Sequence, residues 1–526
     1  MSNVLAHAGA IDVLTDEQRL AAAARTPNVF IEAGPGTGKT TVSAQRFGVQ
    51  RFAPEHRHDH RAALAVSFTR AATRNLRRRV QRLWGPSALA WPHRIVTLDT
   101  VMSDLVHDLL RSGLLRWPGQ TSLWPDDRVT LDVHDSWAAF GTGTNYTKTI
   151  YLLTVTAGQI TVQRAFAPEP KPRVPATEIV PRLLKGICTH QDIRDVLGQA
   201  LRDPACASRV RHRLATTMRA LIVDEVFDAN DLDSAIIEAA INAGIAVTLV
   251  GDPWQALYVF RGAQPQVVTD LLARNRVRTL PLTRSFRWRD DSQHRLANDL
   301  RAGKGVVLPI AGLEGLDVVL AVQWKDLWDL GGGVLPLAFH SFKGSGYEEA
   351  AATLLLNHIT RSTYDLDAVY LADALTALAI NDREAPRQLE PYLQQVMDTL
   401  RPGTKAAVNA AYNQLVDAIK VVSPRHLRPA HHAHTNRLAQ LQQRLVHPGR
   451  PVPGVTTHQA KGGEWNNVGV RLTDSERAAL AGGLSVLDET HRKLYVACTR
   501  AHQRTVEVPP ATSSTPKHST RGSRPS

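Results

Sequence analysis

Short apolar runs that stop abruptly at charged or glycine-rich segments recur through the first half of the chain. Val29-Phe30-Ile31, Ala63-Leu64-Ala65-Val66, Leu221-Ile222-Val223 and Val247-Thr248-Leu249-Val250 are continuous rather than alternating. Such runs suit strands buried on both faces of a parallel sheet. Helical patterns separate them, so the chain reads as an α/β protein. Ala72, Leu76, Val80 and Leu83 form one apolar helical stripe, with Arg70, Arg74 and Arg77 on the opposite face.

Between Trp117 and Pro175 the pattern changes. Val129–Val133, Thr149–Val155 and Ile160–Phe166 read as strands, the last two joined by a tight Thr156-Ala157-Gly158-Gln159 turn. The four prolines from Pro168 to Pro175 then break the pattern. A second α/β segment opens near Arg284, with a strand candidate at Val334–Phe339, and Leu354–Leu445 is mostly helical. The expected organisation is a first lobe over 1–104 and 214–283, interrupted by a partly β insertion over 105–213. A second lobe covers 284–360 and 450–508, interrupted by a helical insertion over 361–449. The Ser/Thr/Pro-rich basic tail, 509–526, reads as disordered.

Composition narrows the class. The 526 residues carry a net charge of +13, and 50 of the 62 basic residues are arginine. Arginine makes forked contacts with phosphate, so a polyanionic partner is one reading and an arginine-favouring coding bias is the other. Cys188, Cys206 and Cys498 have no paired spacing, which excludes a disulfide scaffold or a structural zinc site. No apolar run is long enough for a membrane span, and Met1–Asp16 lacks the form of a signal peptide. A soluble protein of a reducing, cytoplasmic compartment is expected, with no membrane partner. Two histidine groups, at His56/His58/His60 and His431/His432/His434, lack acid or cysteine partners at ligand spacing and read as polar loops.

The chemistry begins at Gly34-Pro35-Gly36-Thr37-Gly38-Lys39-Thr40-Thr41, which follows the G-x-x-x-x-G-K-[ST] phosphate loop with Ala33 in place of its first glycine and lies between a strand and a helix. Its glycines let successive N–H groups and the helix N-terminus face a phosphate. Lys39 would neutralise β/γ-phosphate charge and the Thr40 hydroxyl would ligate Mg²⁺. The run Leu221-Ile222-Val223 ends in Asp224 and Glu225. Asp224 suits the magnesium shell, and Glu225 suits orienting or deprotonating a water.

Further segments then carry a resemblance. Leu14-Thr15-Asp16-Glu17-Gln18, Ser67-Phe68-Thr69-Arg70-Ala71-Ala72 and Gly251-Asp252-Pro253-Trp254-Gln255 through Ala263 lie in the first lobe. Leu282-Thr283-Arg284-Ser285-Phe286-Arg287, Val455–Trp465 and Lys493–Ala501 come later in the chain. In order and spacing the chain resembles superfamily 1A DNA helicases of the UvrD/PcrA/Rep type. The resemblance implies two RecA-like P-loop NTPase lobes with insertions, ATP and Mg²⁺ as cofactors, and 3′-to-5′ movement on single-stranded or forked DNA. It implies that Gln18 reads adenine, Phe286 stacks on it, and Glu464 lies near the ribose. Gln255 would sense the γ-phosphate, and Arg287 and Arg500, expected in the second lobe, would reach it as cations from the opposite side of a cleft between the lobes. Phe68, Tyr258 and Phe260 would stack bases, Arg70 and Arg74 would track phosphates, and His458 would couple DNA to ATP.

Three departures qualify that expectation. Phe227 stands where the family has a glutamine, and Gly463 where it has a bulky apolar residue. The interval that holds the family's accessory 2B domain is short. A non-unwinding, DNA-stimulated ATPase switch or effector subunit, as in anti-phage defence, is therefore the alternative. Repair, replication or defence proteins are the expected partners. A small-molecule P-loop kinase would leave the later motifs unexplained.

Overall fold

The computed structural model describes residues 14–120, 130–134, 137, 146–172, 176–340, 346–380 and 384–510. The chain forms two compact units. The first takes in the described residues of Met1–Lys304, Gly344–Gly346 and Gly483–His502. The second takes in those of Gly305–Lys343, Tyr347–Gly482 and Gln503–Ser526.

The first unit is built on a six-stranded parallel sheet. Its strands are β1 (Asn28–Ala33), β2 (Ala62–Ser67), β3 (Arg94–Thr97), β8 (Met218–Asp224), β9 (Ala246–Gly251) and β10 (Arg278–Leu282). Their spatial order is β10-β1-β9-β8-β2-β3. Alternate residues enter two different cores. Phe30, Leu64, Val66, Leu221, Val223 and Leu249 pack on one face, and Val29, Ile31, Ala63, Ala65, Ile222 and Val250 on the other. This two-sided burial is why the strands read as unbroken apolar runs. Every residue of β2 and of β8 is buried.

Among the described residues, four strands lie between β3 and β8. Strands β4 (Asp132–His134) and β7 (Ile187–Thr189) pair in parallel, while β5 (Tyr146–Thr156) and β6 (Gln159–Pro172) form an antiparallel hairpin. Ala157 (φ 48°) and Gly158 (φ 76°) make its two-residue turn, both in the left-handed region that a twisted hairpin favours. The proline-rich segment does not end the hairpin at Phe166. The pairing continues to Thr147↔Lys171 and Tyr146↔Pro172 after a register shift. Pro168 and Pro170 fall in the register shift between Thr149↔Phe166 and Thr147↔Lys171, where β6 carries the extra residues and the interrupted ladder tolerates proline. Of the expected strand Val129–Val133, residue 129 lies outside the described residues.

The second unit holds a five-stranded sheet made of β11 (Val318–Ala321), β12 (Val334–Pro336), β13 (Val452–Thr456), β14 (Trp465–Val470) and β15 (Ala501–Glu507). Its spatial order is β12-β13-β11-β14-β15. The β12–β13, β13–β11 and β11–β14 pairs are parallel. Helices Tyr347–Tyr364, Ala385–Leu400, Lys405–Val422 and His432–Leu445 pack around Leu355, Leu393, Tyr412 and Leu438. His432 and His434 open the last helix instead of lying in a loop, and His431 caps it by accepting from the Ala433 N–H at 3.3 Å.

The α/β class with two sheets and insertions is the observed architecture. The first unit extends to Lys304, past the expected boundary at 283/284, and also includes Gly483–His502. The reason is the helix Asp291–Arg301, whose last residue is bonded to Glu32 of β1 and to Asp252 at the end of β9. Residues 511–526 of the expected disordered tail lie outside the described residues. Among the described residues, no helix is long and apolar enough to cross a membrane.

Candidate phosphate-binding site

Strand β1 ends at Ala33 and the helix Lys39–Phe52 begins a short turn later. That turn needs left-handed backbone at Gly36 (φ 71°) and Gly38 (φ 86°), which glycine adopts without penalty. Neighbours also press on it. A Cβ at Gly36 would lie 2.4 Å from Arg287 Cβ, and one at Gly38 would lie 2.6 Å from Gln18 Nε2. Thr37 Oγ1 donates to Gly34 O at 2.9 Å, closing the loop on itself.

Two segments brace this loop. Thr15 and Gln18 form a capping box at the helix Asp16–Ala23, and Gln18 Nε2 donates to Thr37 O at 2.9 Å. The Gln18 amide is therefore buried and engaged with the loop. On the other side, Ser285 Oγ donates to Pro35 O at 2.8 Å and the Phe286 N–H donates to Gly36 O at 2.9 Å. Glu17 accepts from both the Thr283 N–H and its hydroxyl at 2.7 Å, and these bonds hold its carboxyl below the usual range. The Phe286 ring stays half exposed under the Arg284 guanidinium, 5.2 Å from its centre.

At the end of β8, Asp224 is buried and accepts from Ser43 Oγ at 3.4 Å. Burial, then the Glu225 charge, push its carboxyl up to about 7, with Lys39 opposing. Glu225 takes left-handed backbone (φ 58°), which costs a non-glycine residue about 1–2 kcal/mol. That conformation brings Glu225 Oε1 to 3.2 Å from Lys39 Nζ. Lys39 Nζ is buried and has no hydrogen-bond partner among the described residues. An ammonium so placed at a helix N-terminus, with a buried carboxylate alongside, fits a phosphate with its divalent cation. Thr40 and Asp224 are the residues that would hold that cation.

Strand β9 ends at Gly251, and Asp252 organises the turn after it. Gln255 Nε2 donates to Asp252 Oδ2 at 2.8 Å, while Asp252 Oδ1 accepts from Arg301 Nη1 at 2.9 Å. Arg301 Nη2 donates to Glu32 Oε1 at 2.9 Å. Tyr495 stacks obliquely on Trp254, with ring centres 4.9 Å apart, and hydrogen-bonds Arg301. Burial, then the Asp252 charge, push the Tyr495 phenol up; burial opposes the Arg301 charge, but Asp252 outweighs it and holds the guanidinium more strongly cationic than usual. Asp252 has a strand-end signal of the same kind as Asp224. Arg301 has no local signal, because its partners lie 49 and 269 residues away.

Arg287 and Arg500 are both buried and both belong to the first unit. Arg287 Nη1 donates to Thr499 O at 2.8 Å, and Arg500 Nε donates to Val496 O at 3.1 Å. Arg492 Nε, one helical turn before Val496, donates to Ala256 O at 2.8 Å. The first and last of these bonds tie the helix Glu489–Cys498 and the residues after it to Arg287, next to the Ser285 that braces the loop, and to Ala256 in the turn after Asp252.

The remaining candidates are more dispersed. Phe68 is partly buried against the sheet core, and Arg70 and Arg74 are exposed on the helix Arg70–Trp84. Tyr258 is partly buried in the short helix Tyr258–Arg261. The Phe260 side chain lies outside the described residues. His458, partly exposed, and Glu464, exposed, belong to the second unit. Phe227 is a core residue, packed edge-on to Phe30 at 5.8 Å. Gly463 is explained by Trp465, whose ring would lie 2.4 Å from a Cβ there.

The fold and loop thus define a parallel α/β protein with a phosphate loop at the strand ends of its first sheet. Residues 17–261 match the AAA domain family. Similar solved structures include unliganded Pif1 from a Bacteroides species, with 12% identity and a TM-score of 0.28, covering 59% of this chain and 53% of that one. A second is a study of DNA unwinding at forked double-stranded DNA by two coordinating Pif1 helicases, with 12% identity and a TM-score of 0.27, covering 60% and 56%. The chain therefore spans about half the length of those structures. No curated protein matches it.

Proposed function

We propose that the protein is an ATP-dependent single-stranded DNA translocase of the superfamily 1 helicase class, moving 3′ to 5′ and acting on single-stranded or forked DNA. The observation that carries this reading is the contact of three separated segments with one phosphate loop: Gln18 at Thr37, Ser285–Phe286 at Pro35 and Gly36, and Glu225 at 3.2 Å from Lys39. Each of those segments is one the sequence assigns to a helicase motif.

In this reading Gly34–Thr41 cradles the phosphates, and Phe286 offers an exposed ring to the base. Gln18 acts by bracing the loop at Thr37. Thr40 and Asp224 would hold a magnesium ion, which would supply charge neutralisation at the phosphates. Glu225 leaves Lys39 to orient the attacking water, and Gln255, Arg287 and Arg500 meet the charge that develops. Glu464 and His458, in the second unit, keep the roles that the resemblance implies. Phe68, Tyr258 and Phe260 offer stacking surfaces for bases, with Arg70 and Arg74 on the backbone. Repair, replication or defence proteins are the partners that such a motor would serve.

The second reading is a DNA-stimulated ATPase switch that does not unwind, and Phe227 favours it. A ring buried against Phe30 cannot supply the polar link that glutamine gives at this position. ATP turnover with and without single-stranded DNA tests the shared core. Stimulation that is lost in Lys39→Ala and Arg500→Ala is expected, and unstimulated turnover indifferent to Arg500→Ala would sink the motor. Strand separation on a fork then distinguishes motor from switch.

A further inference from the structure

The helix Arg70–Trp84 carries six arginines and no acid. Thr73, Leu76 and Val80 are its buried side. Arg77 and Arg79 reach neighbouring elements. Arg77 Nη2 donates to Ile95 O at 2.7 Å, and Arg79 Nη1 donates to Thr41 Oγ1 at 3.1 Å. Arg70, Arg74, Arg78 and Arg82 are exposed, and each is four residues from the next. At 3.6 residues per turn, a four-residue step advances about 6 Å and turns by about 40°. The four therefore form one row about 18 Å long, on the side away from the buried stripe.

A surface helix usually sets acids against such cations, since like charges four residues apart destabilise it by a few tenths of a kcal/mol. This row has no acid on its own helix to offset that repulsion, whereas a strand of phosphates at a regular repeat would. The row starts two residues after Phe68, and Arg79 ties the same helix to the phosphate-loop helix at Thr41.

We infer that Arg70, Arg74, Arg78 and Arg82 together form a phosphate-backbone track for single-stranded nucleic acid, extending the expected Arg70/Arg74 contact by two further positions. The inference rests on the DNA-dependent reading above. Arg77 is not part of the track, because its guanidinium is spent on Ile95.

The test is binding of the full chain to oligothymidylate and to a duplex of equal length, by fluorescence anisotropy across about 50 to 200 mM salt. Two lost single-strand contacts lower the log–log salt slope by about 1.4, which at about 0.1 M is a loss of some twenty-fold in affinity. That is the result expected of Arg78→Gln/Arg82→Gln on the single strand. Arg387→Gln/Arg401→Gln removes the same charge from exposed, acid-paired arginines of the second unit and should leave the slope unchanged. An equal loss in both double variants assigns the effect to net charge and overturns the track. A loss confined to duplex overturns the single-strand assignment. Wild-type binding with an unchanged slope in Arg78→Gln/Arg82→Gln overturns the track alone. Wild-type protein with no affinity for either oligonucleotide overturns the track and the DNA reading together.

Discussion

The two units each contain a sheet with parallel pairing, yet their strand ends differ. In the first, β8 and β9 run into Asp224-Glu225 and Asp252, and β1 carries Glu32 one residue before its end. In the second, β11, β12, β13 and β14 end at Ala321, Pro336, Thr456 and Val470. A parallel sheet positions the residues just past its strands, but the fold itself does not specify chemistry. What makes the first ledge a candidate site is the cost it carries. Buried carboxylates, a left-handed glutamate and an ammonium without a hydrogen bond concentrate at one end of one sheet.

Matched ion triads break or sharpen that contrast most strongly. Arg301 bridges Glu32 and Asp252 in the first unit, and Arg477 bridges Asp474 and Glu507 in the second. Arg301→Met leaves the fully buried Asp252 carboxylate without its guanidinium, which costs about 3–5 kcal/mol in urea unfolding. It also frees Asp252 and Gln255 to move, so turnover should fall at least about tenfold, a barrier change of about 1.4 kcal/mol. Arg477→Met costs less stability because Arg477 is more exposed, and it leaves turnover alone. Equal turnover in the two variants would erase the distinction.

A smaller effect is expected at Phe227. Phe227→Gln places an amide among Phe30 and its core neighbours and costs about 1–3 kcal/mol for burying it without a partner. If denaturation shows no loss, the position is not the apolar one described, and the case for a switch weakens with it.

The smallest effect separates the two ends of the first sheet. His93 Nδ1 accepts from the Ala63 N–H at 2.9 Å. Burial, then Arg51 and Arg219, push its pKa down to about 4 from 6.5. The folded state holds His93 neutral while the unfolded chain takes up a proton below 6.5. Its contribution to stability is therefore complete above pH 6.5 and declines towards pH 4. Thermal unfolding of His93→Gln should lose less between these limits than wild type does; an identical decline would contradict the assignment.

The legible parts of the molecule are those whose physics is local. Doubly buried strands leave continuous apolar runs, and the phosphate loop declares itself by glycine spacing. The Ala157-Gly158 turn does so through the backbone it needs. The illegible parts depend on distant neighbours. Nothing near Arg301 points to Glu32, and nothing near Arg77 points to Ile95. Phe227 reads as a missing polar group until Phe30 is seen beside it. Pro168–Pro172 reads as a break because the register shift that accommodates it exists only once the hairpin has formed. The extension of the first unit to Lys304 comes from the Arg301 bonds, which no run of residues announces.

The ledge at β8 is proposed as a nucleotide-hydrolysing site. The most direct measurement is ATP binding and turnover in Glu225→Gln, with and without single-stranded DNA. The amide keeps the shape but cannot serve as a base or pair ionically with Lys39. The account predicts ATP binding at or above the wild-type level, with turnover lowered at least about a hundredfold in both conditions. Turnover equal to wild type would contradict it.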